Sequence, residues 1–522
     1  MDIVDNAAPR FYNIVIVDDN NVVKSAHSEC NPFWFLWVFA YVQIYLQSYF
    51  MIKFNSLGAF VVIIVVFLLM PLFWGGCKKD KVLASNFALS FSQDTLMFDT
   101  VFTKMGNGNP PSMYQYLIVY NNENRSITTR VRLGGGGTSP FRMNVDGRSG
   151  PVVDNVVIRA KDSLFIFVEA FPDQTNQNNP LVITDSILFD NTNDLKNVKL
   201  VCWGQDAHYF YDSVLTGNVK WDDNLKPYVI YNSVLVDPTC KLTIGRGVHV
   251  YSHNNSKIYV QGTLKVQGDT DAKVVFEGDR LQYSYRNESN QWRGIRFMVG
   301  STGNSIKNAI IKNATIGIEI DSLPISGKYN VTLEGVDIRN HSLVGVFCLM
   351  GSVQATNCLV ANCGQYTMAG LAGGTYGFYN CTFASYNTMF NRKNEHFGIS
   401  NKVVVLAGGI SYKAPLSFDI QNCIIYGDLD DEAIFVFETP AASAVINNCL
   451  IKAKSAELLS FLNSGNKNIL DKSPEFADYP NYNFAITKNS PCIEAGNNNH
   501  PVTYDITGKQ RINLPDIGCY EY

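Results

Sequence analysis

The chain is poor in charge. Asp, Glu, Lys and Arg make up 17% of its 522 residues, against about 25% in ordinary soluble domains. Neither sign dominates: 42 Lys+Arg against 46 Asp+Glu leaves a formal charge of −4. That balance excludes a basic surface built for nucleic acid and an acidic solvating tail. Long surface helices are disfavoured too, because they draw on Glu and Lys. The 12 cysteines are scattered and none forms a C-x-x-C pair, so no disulfide framework is implied. Long apolar runs are confined to the first 76 residues, which excludes a multispan transporter. No catalytic motif is recognisable, and no catalytic residue is assigned. What is abundant is Gly (39), Phe (32) and Tyr (27), a mix that favours strands and turns. At about 150 residues per domain the length suits three or four units.

The N-terminus carries two apolar stretches. Pro32 to Phe50 is aromatic-rich and interrupted by Gln43 and Gln47. Leu57 to Gly76 is cleaner, unbroken from Val61 to Met70, and long enough for a hydrocarbon core of about 30 Å. Met51-Ile52-Lys53 precedes it and Gly75-Gly76-Cys77 follows. That is the layout of a secretory signal: basic start, apolar middle, small residues at the junction. It resembles the bacterial lipoprotein signal, although Trp74 replaces that family's usual aliphatic residue. The resemblance implies a lipid on Cys77 and an address in the bacterial cell envelope, outer-membrane or periplasmic. The alternative is an uncleaved single-pass anchor over 51–76. Met51 reads as the true start and 1–50 as a doubtful upstream extension, with a two-helix anchor as the rival.

After a linker over 77–85, period-two alternation predicts a β-sandwich over 86–205. Tyr114, Tyr116, Ile118 and Tyr120 share one parity, as do Leu164, Ile166 and Val168. Turn-forming clusters at Asn121–Asn124, Gly134–Gly137 and Asp146-Gly147 separate the strands. The stretches Leu117–Asn122, Leu133-Gly134-Gly135, Phe141-Arg142-Met143 and Asp162–Val168 resemble the immunoglobulin-like modules that precede repeat domains in bacterial surface proteins. Residues 206–227 read as a second linker, with Asp206 and His208 as solvated polar residues.

The clearest signal lies over 228–480. Asn357-Cys358, Asn380-Cys381, Asn422-Cys423 and Asn448-Cys449 each precede two residues of which the second is apolar. Asn308-Ala309 and Gly335-Val336 fit with Ala or Val in place of Cys. Successive key residues lie 27, 22, 23, 42 and 26 apart. The value 42 predicts a hidden coil at Asn401–Val405, with Val403 and Val405 inward. One short strand about every 23 residues means a solenoid. Stacking then puts Cys358, Cys381, Cys423 and Cys449 in one buried column, where Cys acts as a small hydrophobe. A line of thiols is not a tetrahedron, so no metal is expected there. Asn313, Asn340 and Asn362 predict a second ladder at a bend, with amides stacked on amides.

The segments Leu242–Val248, Ile258–Gly268, Val274–Glu277 and Trp292–Phe297, with these columns, resemble the right-handed parallel β-helix family. The expected fold is therefore all-β: an Ig-like sandwich followed by a right-handed single-stranded parallel β-helix. The tail, 481–522, resembles the short segment that follows many bacterial β-helices, from Ser490-Pro491-Cys492-Ile493 to Asp516-Ile517-Gly518-Cys519-Tyr520-Glu521. It is expected to cap the open end of the solenoid, with Asp505, Arg511 and Asp516 pairing locally.

Two functions follow as expectations. The first is a membrane-anchored, exported, non-enzymatic binding or structural protein whose ligand is a carbohydrate or a surface protein. The second, implied by the family resemblance, is a polysaccharide lyase or glycoside hydrolase working in a side groove. For the second, Asp428, Asp430, Asp431 and Glu432 are a weak Ca²⁺ candidate, and Arg392 and Lys393 are candidate cations. No other cofactor is expected. Outward acids and bases aligned on adjacent coils would be the mark of catalysis.

Overall fold

The computed structural model describes residues 82–83, 87–104, 113–174, 180–190, 197–324, 328–386, 390–405, 410–437, 443–463 and 467–522. The doubtful extension, the signal and Cys77 lie outside the described residues. Among the described residues no helix is long and apolar enough to cross a membrane.

Alternation builds the first unit. In Ser163–Ala170 the side chains of Leu164, Ile166, Val168 and Ala170 are buried while the alternates face outward, as a pleated strand requires. One sheet orders Leu89–Phe91, Met113–Asn121, Ser163–Ala170, Phe141–Val145 and Arg148–Ser149. The other orders Thr95–Phe102, Asn197–Gln205, Leu181–Phe189, Ile127–Leu133 and Val152–Ile158. They close over Phe98, Leu117, Phe141 and Ile166. This is an Ig-like β-sandwich.

The second unit is a right-handed parallel β-helix, the hand that parallel crossovers take. It starts earlier than its repeat signature. Residues 206–227, expected as a linker, hold its first coil: His208–Leu215 pairs in parallel with Tyr228–Val236, and Asn218–Trp221 with Lys241–Ile244. Two of its faces merge in an 18-stranded sheet through the long opening strands, and the third is a nine-stranded sheet.

The key columns run inside. Asp337 pairs with Leu359, Leu359 with Thr382, Thr382 with Ile424 and Ile424 with Leu450. The residues just before them, Val336, Cys358, Cys381, Cys423 and Cys449, are therefore stacked, and all are fully buried. The amide of Cys381 meets Sγ of Cys423 at 3.4 Å, and that of Cys423 meets Sγ of Cys449 at 3.4 Å. The asparagine before each cysteine has φ between 50° and 59°, a left-handed corner that Asn tolerates and most residues do not. Asn313, Asn340 and Asn362 form a second left-handed column, with φ of 67°, 59° and 52°. The amide-to-amide bond, however, falls in the first column, where Asn422 Nδ2 donates to Asn380 Oδ1 at 3.3 Å. Asn313 donates instead to the carbonyl of Arg286 at 3.0 Å.

The hidden coil expected at Asn401–Val405 is corrected. No coil is hidden in the interval of 42, because Thr382–Ser385 pairs directly with Ile424–Gly427. Lys402–Val405 pairs antiparallel with Ile410–Lys413 as a hairpin. A valine run looks the same in either setting, because both impose period two.

The tail does not cap the solenoid end. It lies along the side: Phe484, Ile506 and Cys519 pack on Leu359 and Ala384, and Ile486, Cys492 and Ile517 on Ile424 and Leu450. The helix Ala456–Leu462 instead inserts Leu458 and Leu462 into the solenoid core, and Ser455 caps it by accepting the Leu458 N–H. Arg511 pairs with Glu521 at 2.9 Å rather than with Asp505 or Asp516. Those two carboxylates accept the backbone N–H groups of Glu521 and Tyr522.

Candidate functional site

The candidates offered for enzyme chemistry turn out to hold each other. Arg392 and Glu432 form a two-pronged ion pair at 2.7 and 2.8 Å, with both side chains buried. Arg392 also donates to the carbonyl of Ser385 at 3.1 Å, which ties the insertion after that strand to the solenoid. A pair sealed from solvent cannot touch a substrate, so Arg392 is not a catalytic cation. Lys393 is exposed beside it. The Ca²⁺ reading of Asp428, Asp430, Asp431 and Glu432 is also corrected. Asp430 pairs with Lys454 at 2.7 Å, Asp431 accepts the N–H groups of Lys454 and Ser455, and Glu432 turns inward to Arg392. Among the described residues no group of three His, Cys, Asp or Glu is placed to hold a metal ion. Asp206 and His208 are engaged rather than solvated: Asp206 accepts from Thr103 at 2.9 Å and His208 meets Asp223 at 2.9 Å.

Aligned charges do occur on the early coils. Lys312 meets Glu277 at 2.7 Å, Lys257 meets Glu319 at 2.8 Å, and Arg296 meets Asp321 at 2.7 Å. They neutralise one another across coils, so they read as struts of the solenoid wall.

A concave site lies where the sandwich meets these coils. Phe102 at the end of the strand Thr95–Phe102 packs on Val229, Tyr231, Tyr251 and Leu281, with its ring 5.1 Å from that of Tyr251. Tyr209 hydrogen-bonds the carbonyl of Thr103. Leu281 borders two clefts of the junction, of about 1000 and 560 Å³. The larger is walled by Thr100 and Tyr114 from the sandwich and by His253, Asp279, Arg280 and Glu288 from the solenoid. Amides and hydroxyls of Asn254, Gln282, Ser284 and Asn290 fill out the wall. Arg280 lies 3.5 Å from the centre of the Tyr285 ring, a stacked guanidinium. His253 Nδ1 and Asp279 Oδ2 are 2.8 Å apart. The hydrogen bond to Asp279 raises the His253 pKa above its ordinary value, against the lowering effect of burial. Burial pushes the neighbouring Tyr231 hydroxyl up, so it stays protonated.

Outside the cleft mouth the sandwich shows an aromatic face. Tyr114, Tyr116, Tyr120, Phe165 and Phe167 are between 37% and 65% exposed, which is unusual for a sheet surface. Tyr116 pairs with Phe167 and Ile118 with Phe165 across two antiparallel strands. The rings of Tyr116 and Phe165 are 5.9 Å apart, and those of Phe165 and Phe167 are 6.5 Å apart and stacked. Tyr114 belongs both to this face and to the cleft wall.

In the sequence these tyrosines share one parity, with no motif that assigns them a function. The signal was there: Leu117 and Val119 claim the inward parity, so the tyrosines must face water. In the partner strand both parities are apolar, which a half-buried strand does not need. His253 and Asp279 carry no local signature. Their separation of 26 residues is one coil, legible only after the coil register is known.

The molecule thus belongs to a structural class: a β-sandwich joined to a parallel β-helix, with an aromatic face leading into a polar junction cleft. Neither a protein-family model nor a curated protein matches the chain. Among solved structures, a family 123 glycoside hydrolase from Clostridium perfringens is similar over 25% of this chain and 26% of its own, at 6% identity and a TM-score of 0.17. The ASH/PapD-like domain of human CEP192 is similar over 26% of this chain and 94% of its own, at 8% identity and a TM-score of 0.15. Likenesses this low carry no argument about the fold or activity of the present chain.

Proposed function

We propose that the protein is an exported, membrane-anchored glycan-binding protein of the bacterial cell envelope. In this reading Cys77 carries the lipid, or 51–76 anchors the chain directly, and the sandwich presents the binding surface. The carrying observation is the row of exposed rings at Tyr114, Tyr116, Phe165 and Phe167 that runs into a polar cleft. Flat rings cover the apolar faces of sugar rings, while amides and hydroxyls take up sugar hydroxyls and fix orientation. Charge on this face is confined to its Tyr114 end, where Glu169 lies opposite Tyr114 and Arg142 opposite Glu169; the Tyr116, Phe165 and Phe167 rows carry none, which suits a neutral polymer better than a charged protein partner. The lyase or glycosidase alternative draws no support from Arg392 or Glu432, which are spent on each other.

Binding of soluble polysaccharides by calorimetry tests the reading. The triple variant Tyr116→Ala, Phe165→Ala, Phe167→Ala should weaken binding by about 1 kcal/mol per ring, roughly fivefold in Kd each. A wild-type protein that binds no glycan in a broad panel, or a triple variant that binds equally well, would refute it.

A further inference from the structure

Three side chains are stacked at one corner of the first coils. Ile230 pairs with Ser252, and Ser252 with Gly278. The residues that follow, Tyr231, His253 and Asp279, therefore lie one above another. The Asp279 carboxylate is almost wholly buried, at 2% exposure, while the His253 side chain is 39% exposed and lines the larger cleft. The Tyr231 ring lies 5.1 Å from the imidazole. Backbone bonds fix the corner: His253 N–H donates to Ile230 at 2.8 Å and Asp279 N–H to Ser252 at 3.2 Å. A carboxylate accepts hydrogen bonds, so Nδ1 carries the proton that bonds Asp279. That leaves Nε2 as the nitrogen with a lone pair, on the ring that borders the cleft. A buried acid that fixes the tautomer of a half-exposed imidazole is the arrangement of a general base.

We propose that the His253–Asp279 pair makes this cleft a hydrolytic site for O-acyl groups carried by the bound glycan. The glycan part rests on the function proposed above. Water is the nucleophile. Nε2 takes a proton from water as the water oxygen bonds to the acyl carbon, and the carbonyl pair moves onto its oxygen. The stacked Arg280 guanidinium, in the same wall, is the cationic donor offered to that oxyanion. Collapse breaks the bond between acyl carbon and sugar oxygen, and Nε2 returns its proton to the leaving oxygen. The products are a carboxylic acid and a free sugar hydroxyl. Ester cleavage suits an imidazole, whereas glycosidic cleavage usually employs two carboxyl groups.

The groups facing His253 are Asp279 and Tyr231 within the stack, and Arg280, Glu288, Tyr114 and Tyr285 around the cleft. Hydrolysis should rise with pH as His253 loses its proton. The test measures acetate release from acetylated xylo-oligosaccharides and hydrolysis of para-nitrophenyl acetate by the full chain. His253→Ala should lose about 10²- to 10⁴-fold in rate. Asp279→Asn should be slower and should move the rising limb of the pH profile to lower pH, which a merely structural role would not do. Wild-type release no faster than in buffer, unchanged release by His253→Ala, or an unmoved limb in Asp279→Asn would overturn the proposal. Glycan binding without hydrolysis sinks this inference alone. Hydrolysis of para-nitrophenyl acetate without glycan binding sinks the glycan reading alone.

Discussion

His341 shows how much one buried side chain can decide. It sits between coils, wholly buried, with Nδ1 accepting the Ala314 N–H at 3.2 Å and Nε2 donating to the Ile311 carbonyl at 3.1 Å. Both contacts fit only the neutral ring, since a proton on Nδ1 would face another N–H. Burial accordingly lowers the pKa to about 4. Burial, reinforced by Arg392, lowers His396 in the same way. In the unfolded chain these rings titrate near ~6.5. Between that value and about 4 the unfolded state binds more protons, so stability is present above ~6.5 and lost as pH falls. For His341 the loss should be about 3 kcal/mol across that window. Urea midpoints of the wild type and His341→Gln, taken across the same window, check it. Whatever the variant costs outright, its pH slope should be shallower, and His396 should keep it above zero. Equal slopes would show that His341 does not titrate on unfolding.

Elements here are defined by what covers them. The outward residues Leu359, Ala384, Ile424 and Leu450 are apolar because the tail lies over them. The corner asparagines then serve twice, turning the coil and gripping the tail. Asn422 Oδ1 accepts the Asn497 N–H at 2.8 Å, and Asn448 Nδ2 donates to the Ala495 carbonyl at 2.8 Å. Arg511 is the main rivet, bonding Glu521, the carbonyls of Asp516 and Gly518, and Asn357 Oδ1. Arg511→Ala leaves the half-buried Glu521 carboxylate with only the backbone N–H groups of Asp516 and Ile512, which should cost about 1.5–3 kcal/mol. Limited proteolysis should then cut the tail well before the solenoid. A tail as resistant as the wild type's would show that the apolar contacts suffice.

At the scale of the whole molecule the junction is a core, not a hinge. Phe102, Ala207, Val229 and Tyr231 are buried together, and the last sandwich strand runs almost directly into the first coil. The two units should therefore unfold in one calorimetric transition. Phe102→Ala should remove about 3–5 kcal/mol and split that transition in two. A wild type that already unfolds in two separate steps would refute the shared core. The same junction forms the cleft, so under the proposed function loosening it should also weaken glycan binding without any change to the aromatic face.

How much of this was legible in the residues follows from where each signal resides. Period-two alternation and the Asn-Cys repeat are local, and they determined the sandwich, the solenoid and the thiol column. They could do so because the inward position just after each corner of the first column takes a small apolar side chain, Ala, Val or Cys, coil after coil. The first coil, the antiparallel pairing of 402–405 with 410–413 and the side-lying tail were decided by tertiary structure. An apolar strand reads the same whether it joins a solenoid, a hairpin or a neighbouring surface. The pairing of Arg392 with Glu432 and the stacking of His253 on Asp279 join residues 40 and 26 positions apart. Only the folded register, which sets one coil upon the next, brings such side chains within hydrogen-bonding distance.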